Sequence, residues 1–245
     1  MHVEVCQAGR IYTWDWAIRH ISAEFRDGEC VCVLGANGSG KTTFLKLISS
    51  IIRPTEGKVL FDGIKLRLGG IGQRRELMLL HPDPPLIGRS LSEHIGTAIA
   101  AYGQDRPGIE NVAAEWIRKF GIEDLVLSKN TQGSRGQKMK TWFATLFTLR
   151  PKLWLLDEPH QCGLDAHGME IVEQEIASHR NTGGIVIFTS QWPPHARRLA
   201  DRMLILEDGG LVYDGALRGA EQPSDLSPQT AAILRSLESE SIRSL

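Results

Sequence analysis

The chain has 245 residues, 42% hydrophobic and 23% charged, and its 28 Lys and Arg against 29 Asp and Glu leave a net charge of −1. That size suits one large α/β domain or a domain plus a subdomain, and near-neutrality argues against a dominant nucleic-acid surface; Arg74-Arg75 and Arg197-Arg198 read as solvated faces. No apolar run reaches the roughly 18 to 20 residues needed to span a bilayer, which predicts a soluble chain. Cys6, Cys30, Cys32 and Cys162 form no C-x-x-C pair. They read as small hydrophobes of a reduced, cytoplasmic protein, with Cys30 and Cys32 on one side of a buried strand.

In chain order, strand-like pieces at 3–6, 11–14 and 18–25 precede the turn Arg26-Asp27-Gly28-Glu29 and predict an antiparallel edge sheet. The apolar run Val31 to Leu34 leads straight into Gly35-Ala36-Asn37-Gly38-Ser39-Gly40-Lys41-Thr42, a complete G-x-x-x-x-G-K-[ST] loop, and then into the apolar-periodic stretch Phe44 to Ile52. Glycine at 35, 38 and 40 lets successive backbone N–H groups turn inward as an anion nest, and the positive end of the next helix faces the same point. A triphosphate fits there. Lys41, Ser39 and the loop backbone from Gly35 to Thr43, with Asn37, Gly38 and Gly40, then bind phosphates, and the Thr42 hydroxyl is a ligand of Mg²⁺.

Arg53 to Gly57 reads as a turn, and Lys58 to Phe61 with Asp62-Gly63 as a strand and hairpin turn. From about Ser90 to Leu149 the periodicity is helical, with apolar positions at Ile95, Ile99 and Tyr102, at Val112, Trp116, Ile117 and Phe120, and at Trp142, Phe143, Leu146 and Phe147. Leu153 to Leu156 reads as a buried parallel strand ending in Asp157-Glu158-Pro159. A carboxylate at that end of a strand lies where open α/β sheets bind ligands, so Asp157 is placed to hold Mg²⁺ and Glu158 to polarise an attacking water. A helix over 166–179 and strands at 185–189, 203–206 and 211–213 follow. Pro223 to Leu245 reads as a helical tail, and His195 as a solvated helix residue. The alternation predicts a mostly parallel sheet with crossover helices, interrupted by an inserted helical unit.

With these elements the chain resembles the nucleotide-binding subunits of ABC transporters from Val3 to about Gly215. Ser134-Arg135-Gly136-Gln137 stands in the place of the family's signature L-S-G-G-Q, and Gly163-Leu164-Asp165 in that of its D-loop. Arg53-Pro54 to Gly63 and Asp201-Arg202 to Gly215 resemble two further family segments. The resemblance implies a P-loop NTPase core with an N-terminal antiparallel β subdomain and an inserted α-helical subdomain. Its boundaries fall at an ATPase domain over 1–222, with core 1–88 and 150–215 and insert about 89–149, and a tail over 223–245. It also implies ATP and Mg²⁺ as ligands, and a second nucleotide-binding subunit packed head to tail, identical or not. Ser134, Gly136 and Gln137 then serve the partner's γ-phosphate and Asp165 lines the seam. A separate membrane-spanning subunit would be driven by ATP hydrolysis, the chain sitting at the cytoplasmic face of the membrane through that partner. Tyr12 has the offset of the aromatic that stacks on adenine, with Trp14 and Trp16 as rivals. Leu153 to Asp157 and Gly183 to Ile187 look somewhat like the haem-exporter ATPase of cytochrome c maturation.

Three positions depart from the family pattern. The switch histidine is Gln191, which can still hydrogen-bond a γ-phosphate but has no titratable ring. The glutamine that touches Mg²⁺ and water is replaced by His81 or Pro82, depending on register. In the signature, Gly133 stands for Leu and Arg135 for the first Gly. These departures leave room for a different reading, a nucleotide-dependent regulatory or assembly protein of the same family with slow or no hydrolysis. A GTPase is disfavoured by the lack of N-K-x-D, and a kinase leaves Asp157-Glu158 and Gly163 to Asp165 unexplained.

Overall fold

The computed structural model describes residues 1–65, 71–88, 90–104, 106–127 and 133–216, with isolated positions at 228, 231, 232 and 235. Two strands rather than three pieces open the chain: β1 (His2–Tyr12) and β2 (Asp15–Arg26) pair antiparallel around the turn Thr13-Trp14. The polar stretch Gln7 to Arg10 continues β1 because register shifts there absorb its irregular backbone, with Gln7 at φ 44°. After β3 (Cys30–Leu34) comes α1 (Lys41–Ile48), which ends short of the Ile52 expected from periodicity. Ser49 Oγ bonds the Lys46 carbonyl and Ser50 turns to φ 54°, so the serine pair closes the helix.

Next come β4 (Glu56–Phe61), β5 (Ile64–Lys65), α2 (Ile71–Arg74) and β6 (Leu77–Leu80). Helices α3 (Leu91–Tyr102), α4 (Ile109–Lys119), α5 (Glu123–Leu127) and α6 (Arg135–Leu149) follow. The chain then runs through β7 (Leu153–Leu156), α7 (Ala166–Asn181), β8 (Ile185–Ser190), α8 (Pro193–Leu199), β9 (Arg202–Glu207) and β10 (Gly210–Ala216). Periodicity did not reveal β6 or α8: β6 is four apolar residues at a sheet edge, and α8 is short, with prolines at its start where no N–H partner is needed. The tail from Pro223 lies outside the described residues but for the isolated positions.

A small antiparallel sheet has the order β2-β1-β4-β5, and a large one the order β10-β9-β3-β8-β7-β6. In the large sheet β9, β3, β8, β7 and β6 are parallel and only β10 is antiparallel. Strand alternation divides the interior into two cores. Cys30, Cys32, Trp154, Leu156, Val186 and Phe188 face the helices α3, α4, α6 and α7, whereas Val31, Val33, Leu153, Leu155, Ile185 and Ile187 face α1 and the small sheet. The pairing of Cys30 with Cys32 on one face follows the expectation, and burial pushes both thiols up, Cys30 to about 12. Val112, grouped with the apolar face of α4, is exposed instead; Ile109, Ala113 and Trp116 turn inward.

Two buried histidines belong to the helix-side core. His94 accepts the Ile87 N–H at Nδ1 (3.0 Å) and packs edge-on to Trp142. His179 stacks on Trp154 at 3.9 Å and bonds the Lys152 carbonyl, its ring filling the space a side chain at Gly184 would take. Burial holds each imidazole down to about 4. The unfolded chain, with histidines near 6.5, therefore binds more protons between pH 4 and 6.5, so stability is full above that window and is lost as pH falls through it. The slope is at most about 1.4 kcal/mol per pH unit for each histidine. Melting temperature is expected to drop steadily from pH 7 to pH 5; a flat profile would mean that these rings stay hydrated or charged in the fold.

Candidate functional site

The phosphate loop joins the C-terminal end of β3 to the start of α1, and its glycines hold backbone that a side chain resists. Gly35, Gly38 and Gly40 have φ of 158°, 84° and 101°, and a Cβ on Gly40 would run into the Ala17 carbonyl and the Ile18 side chain of β2. The N-terminal hairpin thus lies directly on the loop. Ser39 Oγ is buried in the loop with no hydrogen-bond partner among the described residues. Lys41, only 6% exposed, donates from Nζ to the carbonyls of Gly35 (2.8 Å) and Ala36 (3.0 Å) and lies 3.6 Å from Glu158 Oε1.

A chain of hydrogen bonds crosses the ends of α1, β7 and β8. Thr42 Oγ1 donates to Asp157 Oδ2 (2.8 Å), and Thr189 Oγ1 donates to Asp157 Oδ1 (2.8 Å) while accepting the Glu158 N–H (2.8 Å). Glu158 itself is left-handed at φ 48°, which turns its carboxylate back over the loop, where Gln191 Nε2 donates to Oε1 at 3.2 Å. Thr189 is the residue that sequence reasoning missed. Its signal was a hydroxyl at the end of an otherwise apolar parallel strand, the position at which ligands and their holders collect.

These groups line a polar cavity of about 310 Å³ that gathers Asn37, Gly38, Gly40, Lys41, Thr42 and Thr43 with His81, Pro82, Asp157, Glu158 and Gln191; Ala17 forms its rim. His81 and Pro82 both reach it. Tyr12 is not on its wall; it lies at the end of β1 with the Arg10 guanidinium 4.8 Å from its ring centre and stays 41% exposed. Trp14 is exposed at the turn, and Trp16 is committed to packing over Gly9 and against His20.

Ser134, Gly136, Gln137 and Asp165 form a second cluster at the start of α6. Ser134 Oγ accepts the Gln137 N–H and Gln137 Oε1 accepts the Ser134 N–H, a capping box that opens α6. The Gln137 amide is therefore engaged within its own helix, and Gly136 is the signature residue that packs against the Gly163 backbone. Asp165 caps α7 through Gly168 and pairs with Lys140 of α6 at 2.7 Å; that bond holds its carboxyl below the usual range. Arg135 Nε donates to the Pro82 carbonyl at 3.2 Å. Three expectations change. His195 is half-buried and ring-stacked rather than solvated, Arg74 and Arg75 are half-buried beside a groove, and of Arg197 and Arg198 only Arg198 is exposed.

Hard oxygen donors side by side, Thr42 Oγ1 and Asp157 Oδ2, suit Mg²⁺, and the buried unpartnered Ser39 hydroxyl with the glycine cradle suits a polyphosphate. Fold and site together define a P-loop nucleotide-binding cassette. The sequence profile described as "ABC transporter" matches residues 18–161, and the chain belongs to that family. It is 29% identical over 214 residues to the energy-coupling factor transporter ATP-binding protein EcfA2 of Clostridium perfringens, covering 82% of this chain and 73% of that one. It is likewise 29% identical over 210 residues to the tungstate uptake system ATP-binding protein TupC of Peptoclostridium acidaminophilum, covering 85% and 96%. The dimeric ATP-binding cassette MJ0796 with ADP and Pi superposes at TM-score 0.76 and 26% identity over 89% of this chain and all of that one. The protein is an ATPase subunit that powers transport through a separate membrane subunit. The regulatory reading finds no support among these relatives. Among the described residues no helix is long and apolar enough to cross a membrane.

Proposed function

We propose that ATP and Mg²⁺ bind in the 310 Å³ cavity, with Glu158 activating water and Gln191 in the switch position. The observation that carries this reading is the continuous bond chain from Thr42 through Asp157 and Thr189 to Glu158 and Gln191. Lys41 and the loop N–H groups neutralise phosphate oxygens, Thr42 and Asp157 hold the metal, and Glu158 takes the proton of the attacking water. Bound Mg²⁺ would offset negative charge on the phosphates. His81 replaces the family's glutamine at the rim, and Tyr12 offers its free ring face to adenine. Ser134, Gly136, Gln137 and Asp165 serve the site of the second subunit. The chain divides into a core over 1–88 and 150–215 and a helical insert over 89–149, within a cassette ending near 222. It sits at the cytoplasmic face of the membrane by way of its partner.

The membrane subunit has a matching place to dock. A groove of about 400 Å³ between the end of α1, β6 and α3 has apolar walls from Leu77, Ile87, Ala98 and Tyr102. Arg74 Nε and Trp142 Nε1 are buried there without a partner among the described residues, and the Arg75 guanidinium stands beside them. Arg74 also donates to the Ser50 carbonyl and Arg75 to the Ala101 carbonyl, so two cationic groups are fixed beside apolar walls, which suits a segment that brings a carboxylate. The test is co-purification of the full chain with its membrane subunit. Arg75→Glu is expected to cut the recovered membrane subunit by about tenfold or more while ATP binding persists. Recovery equal to wild type would remove the groove as the docking place.

A further inference from the structure

Two histidines that no role above uses meet beside the hydrolytic residues. His160 lies in the single turn Pro159–Gln161 that follows Glu158, and His195 lies in α8, which follows Gln191. Their rings stack with centroids 3.4 Å apart and planes 16° from parallel. The outer edge of the stack is closed by Phe188 of β8 against His160 and by Trp192 against His195. Ser190 Oγ fixes Trp192 by accepting its N–H at 3.0 Å, and lies 3.4 Å from His195 Nδ1.

His160 Nε2 is buried and has no hydrogen-bond partner among the described residues, so at that nitrogen the ring contributes contact and no polar bond. The stack joins the two segments whose side chains meet at the Gln191–Glu158 hydrogen bond. Glu158 is two residues before His160, and Gln191 is four residues before His195. Glutamine is flexible, and a single 3.2 Å bond does not fix it. The ring stack adds a second fixed contact between the two segments beside that bond.

We propose that His160 and His195 are a pair of positioning residues, a clasp that holds Gln191 against Glu158 in the hydrolytic geometry. Both rings act in their neutral form. Burial, then His195 and Arg198, hold His160 down to about 3, and burial, then Arg198, lower His195. The charged group facing both rings is Arg198 of α8, itself paired with Glu173 of α7. Both rings are therefore neutral near pH 7, where the stack persists.

The inference rests on Glu158 as the group that activates water, and the two are separable. ATPase rate, KM for ATP and ATP affinity are measured on the full chain for wild type, Glu158→Gln, His195→Ala, His195→Phe and His160→Phe. His195→Ala is expected to lower kcat about tenfold, with KM and ATP affinity within about twofold of wild type, and His195→Phe to restore kcat by keeping a stack. His160→Phe, which likewise keeps a ring in the stack, is expected to retain wild-type kcat and KM. An unchanged kcat in His195→Ala, or a Phe variant as impaired as the Ala variant, would each overturn the clasp. Turnover surviving in Glu158→Gln would instead overturn the role of Glu158.

Discussion

Glu158→Gln is expected to reduce ATP turnover by at least about a hundredfold while leaving ATP binding intact and trapping a nucleotide-dependent dimer. The substitution keeps the size of the side chain and leaves the backbone alone, so the Glu158 N–H still donates to Thr189 Oγ1 and the left-handed turn at φ 48° persists. What is lost is a carboxylate able to take a proton from water. The loop that holds phosphates and the Thr42–Asp157 pair that faces the metal are untouched. Initial rates together with sedimentation at saturating ATP check this. A variant that binds ATP but stays monomeric would count against a site completed by a second chain, and undiminished turnover would count against Glu158 as the base.

Gly40→Ala is expected to lower ATP affinity on the order of a hundredfold, whereas Gly38→Ala is expected to be much milder. Both glycines are left-handed, at φ 101° and 84°, so both substitutions carry backbone strain of about 1–2 kcal/mol. They differ in space. Around Gly38 a methyl group meets nothing within 4 Å, but at Gly40 it strikes the carbonyl of Ala17, backbone flanked by the paired residues Trp16 and Ile18 that yields less readily than a side chain. The hairpin and the loop must then separate, and the N–H nest that receives phosphate opens with them. Equilibrium titration with ATP distinguishes the two variants. Equal affinities would mean that the hairpin yields freely and that its contact does not shape the loop.

Much of the architecture was legible because strong local signals agreed. The phosphate loop sits between an apolar strand and a periodic helix, and the run Leu153 to Leu156 delivers Asp157 and Glu158 to the same C-terminal end of the parallel strands. Elements whose existence depends on neighbours were harder to see. Strand β6 is only four residues long and is defined by its pairing with β7, and the long β1 runs through a polar stretch that only its partners on both sides keep extended. The site divides along the same line. Lys41, Thr42, Asp157 and Glu158 announce themselves by motif. Thr189 and the His160–His195 stack unite residues some thirty positions apart, and no local spacing encodes that contact. Trp16 illustrates the reverse case: a plausible adenine platform by offset, it is already spent on Gly9 and His20.

In sequence, the substitutions at His81-Pro82 and at Arg135 look like two separate departures from the family pattern. In the fold they touch, since the Arg135 side chain donates to the Pro82 carbonyl. A glycine at 135 could make no such bond, and a different residue pair at 81–82 would present that carbonyl differently. The two sites therefore form one epistatic unit. Restoring the common residue at one of them alone should harm the protein more than restoring both, and an engineer adapting this cassette would have to move them together.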